Sequence, residues 1–255
     1  MRRLCVALLV VVVLFGAGCQ SGGERPRPLI GITSVYKTFA LDPAAYTQVN
    51  FAYGRAVAEN GGVPLVLPTI DDEGLIARYV AELDGLVLVG GRDIPPSAYG
   101  ETAHETVEPL TVQRWEFERK LIAAWLASEK PVLGVCLGMQ FANVVSGGSM
   151  IQDIPSEVGD AVNHRGYHRV RIAPGCSLAT ILGATEARVL SSHHQAVDDV
   201  GEDLRVIAWS ADGVQEALEQ VEGGFGLFIQ WHPESGDDRG QRDAIYGALV
   251  RAAAR

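Results

Sequence analysis

Apolar residues along this chain fall into short runs of β length, separated by glycine turns and by polar stretches with helical spacing. The runs predict strands at 29–34, 64–67, 85–90, 131–135, 167–172, 186–190, 204–209 and 226–231. The intervening segments predict helices at 43–60, 72–82, 111–129, 138–146 and 237–253. Strands that alternate with helices are the pattern of an α/β fold built on a doubly wound, mostly parallel sheet. No internal repeat and no second domain is visible. Gly90-Gly91 and the pair Gly134 and Gly138 each follow an apolar strand. Both turns therefore belong at the carboxyl edge of the sheet, where such folds bind ligands.

One of these turns carries chemistry. Pro131-Val-Leu-Gly134-Val-Cys136-Leu-Gly138-Met-Gln140 runs β-prone to Val135, sets a cysteine between two glycines, and turns helical from Met139. This is the pattern of a nucleophile elbow, with cysteine in the serine position. A thiol held at a helix N-terminus is biased towards thiolate. The Leu137 N–H, one residue beyond, is the natural first donor to an oxyanion. A base is available in Phe228-Ile-Gln-Trp231-His232-Pro233-Glu234. Two residues apart on an extended segment, His232 and Glu234 share a face, so the carboxylate can fix the imidazole tautomer. The expected triad is Cys136, His232 and Glu234. Its chain order of nucleophile, histidine, acid differs from that of the α/β-hydrolases.

The two motifs together resemble the class I glutamine amidotransferase superfamily. Four further segments narrow the resemblance to its gamma-glutamyl-gamma-aminobutyrate hydrolase-like branch. They are Leu88 to Gly100 with its Gly90-Gly91-Arg92-Asp93 loop, Asn143 to Pro155, Ser191-Ser192-His193-His194-Gln195, and Ala211-Asp212-Gly213-Val-Gln-Glu216-Ala. The motifs occur in family order from Leu29 to the C-terminus. The resemblance implies a flavodoxin-like class I glutamine amidotransferase fold over 29–255, a small γ-glutamyl substrate and no cofactor. It implies Gly91 N–H as the second oxyanion donor, and Gln140, Gly90 and His193 as substrate-binding residues. Asp93, Tyr99, Gln152 and Asp153 are expected to hold loops. One departure is visible: the branch reads Arg-Asp-x-x-Glu before the elbow strand, and here Trp115 stands in the aspartate position between Arg114 and Glu118. The implied activity is hydrolysis of γ-glutamyl amide bonds through a thioester. A glutaminase subunit feeding ammonia to a synthase, or a non-catalytic binding protein on the same fold, are the alternatives.

The first residues change the setting. Met1-Arg2-Arg3 is a positive start, Leu4 to Phe15 is uninterrupted and apolar, and Gly16-Ala17-Gly18 leads into Cys19. The run is shorter than the ~20 residues of a spanning helix, so residues 1–18 read as a signal peptide. The small residues before Cys19 resemble a bacterial lipobox, although Gly16 stands where leucine is usual. Cys19 is then the lipidated residue, 19–28 a tether, and the cell envelope the expected location, with a secreted or periplasmic form as the alternative. Two acyl chains hold a protein to a membrane stably.

The formal net charge of −10 becomes −12 when the two charges of Arg2 and Arg3 are removed, which excludes a nucleic-acid surface. Four cysteines divide into Cys5, Cys19, Cys136 and the bystander Cys176, and form no disulfide framework. His164 and His168 are four apart with Gly166 between them, and the sequence shows no third ligand, so no metal site is expected. Oligomeric state, and the choice between L- and D-γ-glutamyl groups, are not written in the pattern.

Overall fold

The computed structural model describes residues 26–40 and 42–255. The expected signal peptide, Cys19 and most of the expected tether lie outside the described residues. Among the described residues no helix is long and apolar enough to cross a membrane.

The chain begins with strand β1 (Leu29–Ile32), a hairpin of β2 (Val35–Phe39) and β3 (Asp42–Gln48), and helix α1 (Phe51–Glu59). There follow β4 (Val63–Val66), α2 (Glu73–Glu82), β5 (Gly85–Leu88), α3 (Val112–Leu126), β6 (Val132–Val135) and α4 (Leu137–Val145). Two short elements, β7 (Met150–Ile151) and α5 (Ile154–Glu157), lead to β8 (Tyr167–Ile172), α6 (Ser177–Leu182), β9 (Glu186–Leu190) and β10 (Ala196–Val197). The chain closes with β11 (Leu204–Ser210), β12 (Gln215–Gln220), β13 (Gly226–Ile229) and α7 (Arg239–Ala253).

The main sheet runs β4-β1-β5-β6-β13-β12-β11-β8-β9. Its first five strands are mutually parallel and the rest antiparallel. The central parallel strands β5, β6 and β13 are buried on both faces, which explains their apolar sequence, whereas the edge strand β4 leaves Leu65 and Val66 exposed. In β5, Leu86 and Leu88 face a cluster with Phe117, Trp125 and Phe141 of α3 and α4. Val87 and Val89 face the opposite cluster with Val57 of α1 and Tyr246 and Leu249 of α7. The order reverses between β1 and β5, so the crevice of a doubly wound sheet opens beyond the carboxyl ends of these two strands, next to the end of β6.

Every expected strand has an observed counterpart, several ending two residues early; β12 and the short β7 and β10 are not among the expected strands, and two boundary differences bear on the site. The helix expected at 43–60 starts only at Phe51, where the Asn50 side chain accepts from Ala52 N–H at 2.9 Å. The residues before it form β3, with Tyr46 edge-on to Phe39 of β2, ring centroids 5.4 Å apart. Cross-strand aromatic packing outweighed the helical reading of Ala44-Ala45. The last strand ends at Ile229 rather than 231, which alters how His232 and Glu234 meet.

Candidate active site

Cys136 sits between β6 and α4 with φ 54° and ψ −110°. Such a conformation costs a non-glycine residue about 1–3 kcal/mol and persists only where its surroundings impose it. Here Cys136 N–H donates to Ile229 O at 2.8 Å, while its carbonyl accepts from Met139 and Gln140 at 3.0 and 3.3 Å. The flanking glycines are steric requirements. A methyl at Gly134 would stand 2.7 Å from Gly138 O, and one at Gly138 would stand 2.4 Å from Leu88 O. The strand, the helix and β5 thus pack backbone to backbone around the turn. Cys136 is buried and its thiol is free.

His232 and Glu234 do not lie on an extended segment. His232 O accepts from Ser235 and Gly236 N–H at 3.2 and 3.1 Å, closing a turn after β13. Within that turn His232 Nδ1 lies 2.8 Å from Glu234 Oε1, a contact reached by folding back rather than by strand alternation. Glu234 is buried and also accepts from Ser235 Oγ at 3.2 Å. Burial of His232 opposes its protonation, but the negative charge and hydrogen bond of Cys136, with Glu234 behind, raise its pKa to about 11. The ring therefore holds a proton through the neutral range.

The glycine loop closes the other side. A methyl at Gly90 would lie 3.1 Å from His232 Cε1 and 3.6 Å from Cys136 Cβ. Gly90 N–H donates to Tyr53 Oη at 3.1 Å, whereas Gly91 N–H meets no protein acceptor among the described residues. At α4, Leu137 N–H lies at the first helical position, where the helix itself offers no acceptor. Arg114 fixes the loop from below: Nη1 and Nη2 donate to Gly90 O and Val89 O at 3.1 and 3.0 Å. Its Nε donates to Glu118 at 2.9 Å, and both side chains are buried. Burial raises the Glu118 pKa despite the opposing Arg114 charge. Trp115 points elsewhere, stacking on Phe141 of α4 with ring centroids 5.5 Å apart. It packs against α4. Sequence reasoning gave Tyr53 no role, because nothing local marks it apart from other α1 core residues.

Cys136, His232, Glu234, Gly90 and Gly91 line one cavity of about 690 Å³. Lys37, Gln48, Asn50, Tyr53, Arg165, Ser191 and Ser192 complete much of its polar wall. Gln140 and His193 are not among the lining residues. The Gln140 amide donates to Gln195 O and Gln230 Oε1, each at 3.3 Å, and His193 Nδ1 lies 2.9 Å from Gln195 O. The four loop residues have local partners. Asp93 accepts from Glu108 N–H, Asp153 caps α5, Gln152 donates to Glu101, and Tyr99 packs beside the core. Folding also brings His193 and Glu216 against His164 and His168, a grouping of side chains that their sequence spacing does not show.

The Peptidase C26 family pattern matches residues 28–234. The chain belongs to the Peptidase C26 family. This is a hydrolase family of class I glutamine amidotransferase type. Protein NtpR of Enterococcus hirae is 36% identical over 81% of this chain and 91% of its own. The gamma-glutamyl-gamma-aminobutyrate hydrolase PuuD of Escherichia coli is 30% identical over 82% of this chain and 86% of its own. Among solved structures, the glutaminase domain of Trypanosoma brucei CTPS with bound acivicin matches with TM-score 0.62 at 17% identity, over 89% of this chain and 94% of that one. A glutamine amidotransferase of Thermotoga maritima matches with TM-score 0.59 at 17% identity, over 89% and 96%. At those identities the likeness is one of fold, and it fixes the sheet as a class I glutamine amidotransferase sheet.

Proposed function

We propose that this family member hydrolyses γ-glutamyl amide bonds with Cys136 as nucleophile, His232 as acid and base, and Glu234 as its orienting carboxylate. The strained Cys136 backbone, facing His232 across the glycine loop in an open cavity, is the observation that carries the reading. His232 holds the Cys136 proton, and the thiolate attacks the δ-carbonyl carbon. The carbonyl oxygen takes up negative charge beside the Leu137 and Gly91 N–H groups. His232 returns the proton to the departing amine as the C–N bond breaks, leaving a thioester. A water then attacks the thioester, its proton passing to His232, and glutamate leaves with Cys136 restored.

Recognition of a free γ-glutamyl group requires a donor set for its α-carboxylate and acceptors for its α-amine. Exposed Arg165 and Lys37 on the cavity wall supply the first, and Gln48, Asn50, Ser191 and Ser192 supply acceptors. Gln140 and His193 hold the wall from behind in this reading. The relationship to PuuD favours γ-glutamyl-γ-aminobutyrate as the first substrate to test. Glutamate release from L-γ-glutamyl amides, measured for the parent and for Cys136→Ala, tests the assignment. Release that survives the substitution refutes it. A glutaminase subunit would instead act on glutamine at a rate that depends on a partner synthase.

A further inference from the structure

Four side chains from separate parts of the chain converge behind the cavity wall. His164 and His168 flank the start of β8, His193 lies in the loop after β9, and Glu216 lies on β12. Backbone bonds align the first two segments, with His193 N–H to His164 O at 3.0 Å and Ser191 N–H to Gly166 O at 2.9 Å. Glu216 Oε1 then stands 3.2 Å from His164 Nδ1, 3.5 Å from His168 Nε2 and 3.9 Å from His193 Nε2. The four candidate donor atoms lie within 4.8 Å of one another. Glu216 is fully buried, and among the described residues its carboxylate has no polar side-chain neighbour to hydrogen-bond other than the imidazoles that face it. His164 Nδ1 and His193 Nε2 are also buried without a partner.

The remaining ring nitrogens explain why. His164 Nε2 lies 3.0 Å from Asp212 Oδ2, and His193 Nδ1 lies 2.9 Å from Gln195 O. His168 Nδ1 lies 3.3 Å from Arg169 O. With its N–H on these acceptors each ring turns its other nitrogen towards Glu216, and His168 Nε2 also lies 2.8 Å from Ser191 Oγ, a hydroxyl that donates to it in that tautomer and that an ion would displace. In that arrangement a cation held between the three ring nitrogens and the buried carboxylate would be attracted by all four. A histidine whose second nitrogen donates to a carboxylate or a carbonyl is the usual form of a metal ligand. Three imidazoles and one carboxylate match a tetrahedral zinc donor set. Closing the donors from their present spacing to the ~3.3 Å edge of such a site needs only side-chain adjustment.

We propose that His164, His168, His193 and Glu216 bind one divalent transition-metal ion of the zinc class, with Asp212 orienting His164. Four protein ligands leave no open coordination position, so the site is structural. It ties β8 and β12 to the loop that carries Ser191 and Ser192 into the catalytic cavity. A side cavity of about 290 Å³ lined in part by His164 and His193 gives the ion a route in. The proposal is independent of the triad, whose residues belong to the neighbouring cavity.

The test uses the full chain, stripped with a chelator and then titrated with Zn²⁺ or Co²⁺ alone. One equivalent bound per chain is expected, with visible Co²⁺ absorption of tetrahedral type and a rise of the melting midpoint by about 5–10 °C. Glu216→Gln and His193→Gln should each weaken binding by at least about 100-fold, and Asp212→Asn by about 10–100-fold. Cys136→Ser should bind as the parent does. The Co²⁺ spectrum of the unaltered chain keeps the test valid if a variant fails to fold. No retained metal and no midpoint shift with either ion overturns the proposal, as does binding that is lost with Cys136→Ser but kept in Glu216→Gln.

Discussion

Replacing Arg114 with methionine removes the group that joins the glycine loop to α3. The guanidinium makes three hydrogen bonds, to Glu118, Gly90 O and Val89 O, from a site where it is 2% exposed and Glu118 is fully covered. Breaking a buried ion pair from one side costs about 3–5 kcal/mol. Glu118, already pushed up by burial, can escape part of that cost by taking a proton, which places the expected loss near 3 kcal/mol. At about 2–4 °C per kcal/mol for a chain of this size, the melting midpoint should fall by about 6–12 °C. The protonation escape becomes harder as pH rises above the ordinary glutamate value, so the loss should be larger at pH 8 than at pH 5. Adding Glu118→Gln to Arg114→Met removes the stranded carboxylate and should leave a coupling energy of at least about 1 kcal/mol. Circular-dichroism melts of the parent, both single variants and the double variant provide the cycle. A single-variant midpoint within about 2 °C of the parent, or losses that add to within about 0.5 kcal/mol, would refute the reasoning.

Arg165→Gln should raise KM for a γ-glutamyl amide about tenfold while kcat stays within about twofold, because a carboxylate contact serves ground and transition states alike. An unchanged KM in steady-state kinetics removes Arg165 from recognition. Glu219 accepts from Ser177 N–H at 2.9 Å and from Arg205 Nε at 2.7 Å. Burial alone would raise its pKa, but these partners hold it below the usual value. Its contribution is therefore present above the unfolded value of ~4.3 and is lost as pH falls through the lowered folded value. Glu219→Gln should cost about 1 kcal/mol at pH 7, after discounting for solvent screening, and much less near pH 3. Denaturant titrations at both values check this, and an equal cost at both contradicts it.

The central parallel strands were legible because both their faces are covered and their sequences are apolar, whereas β12, with Gln215, Glu216, Glu219 and Gln220 among its six residues, was not. The β2–β3 hairpin was not, because Pro43-Ala-Ala-Tyr fits a helix start as well as a strand, and only the pairing with Phe39 decides. The proximity of His232 and Glu234 was readable from their spacing. The turn that creates it was not, since it depends on where β13 ends. Tyr53 and Arg114 anchor the Gly90-Gly91 loop from helices distant in sequence, and no spacing rule finds such contacts. The same holds more strongly for Glu216: its closeness to His164 exists only because β8, β11 and β12 are neighbours in the sheet.

The central claim is that Cys136 carries the γ-glutamyl group as a thioester. Rapid quenching of the enzyme with an L-γ-glutamyl amide in excess, followed by intact-mass and peptide analysis, reads this directly. The account predicts a mass increase of one glutamyl residue located on Cys136, absent in Cys136→Ala and in His232→Gln, which lacks the group that takes the thiol proton and protonates the departing amine. Glutamate release with no adduct under any of these conditions, or an adduct on another residue, would contradict it.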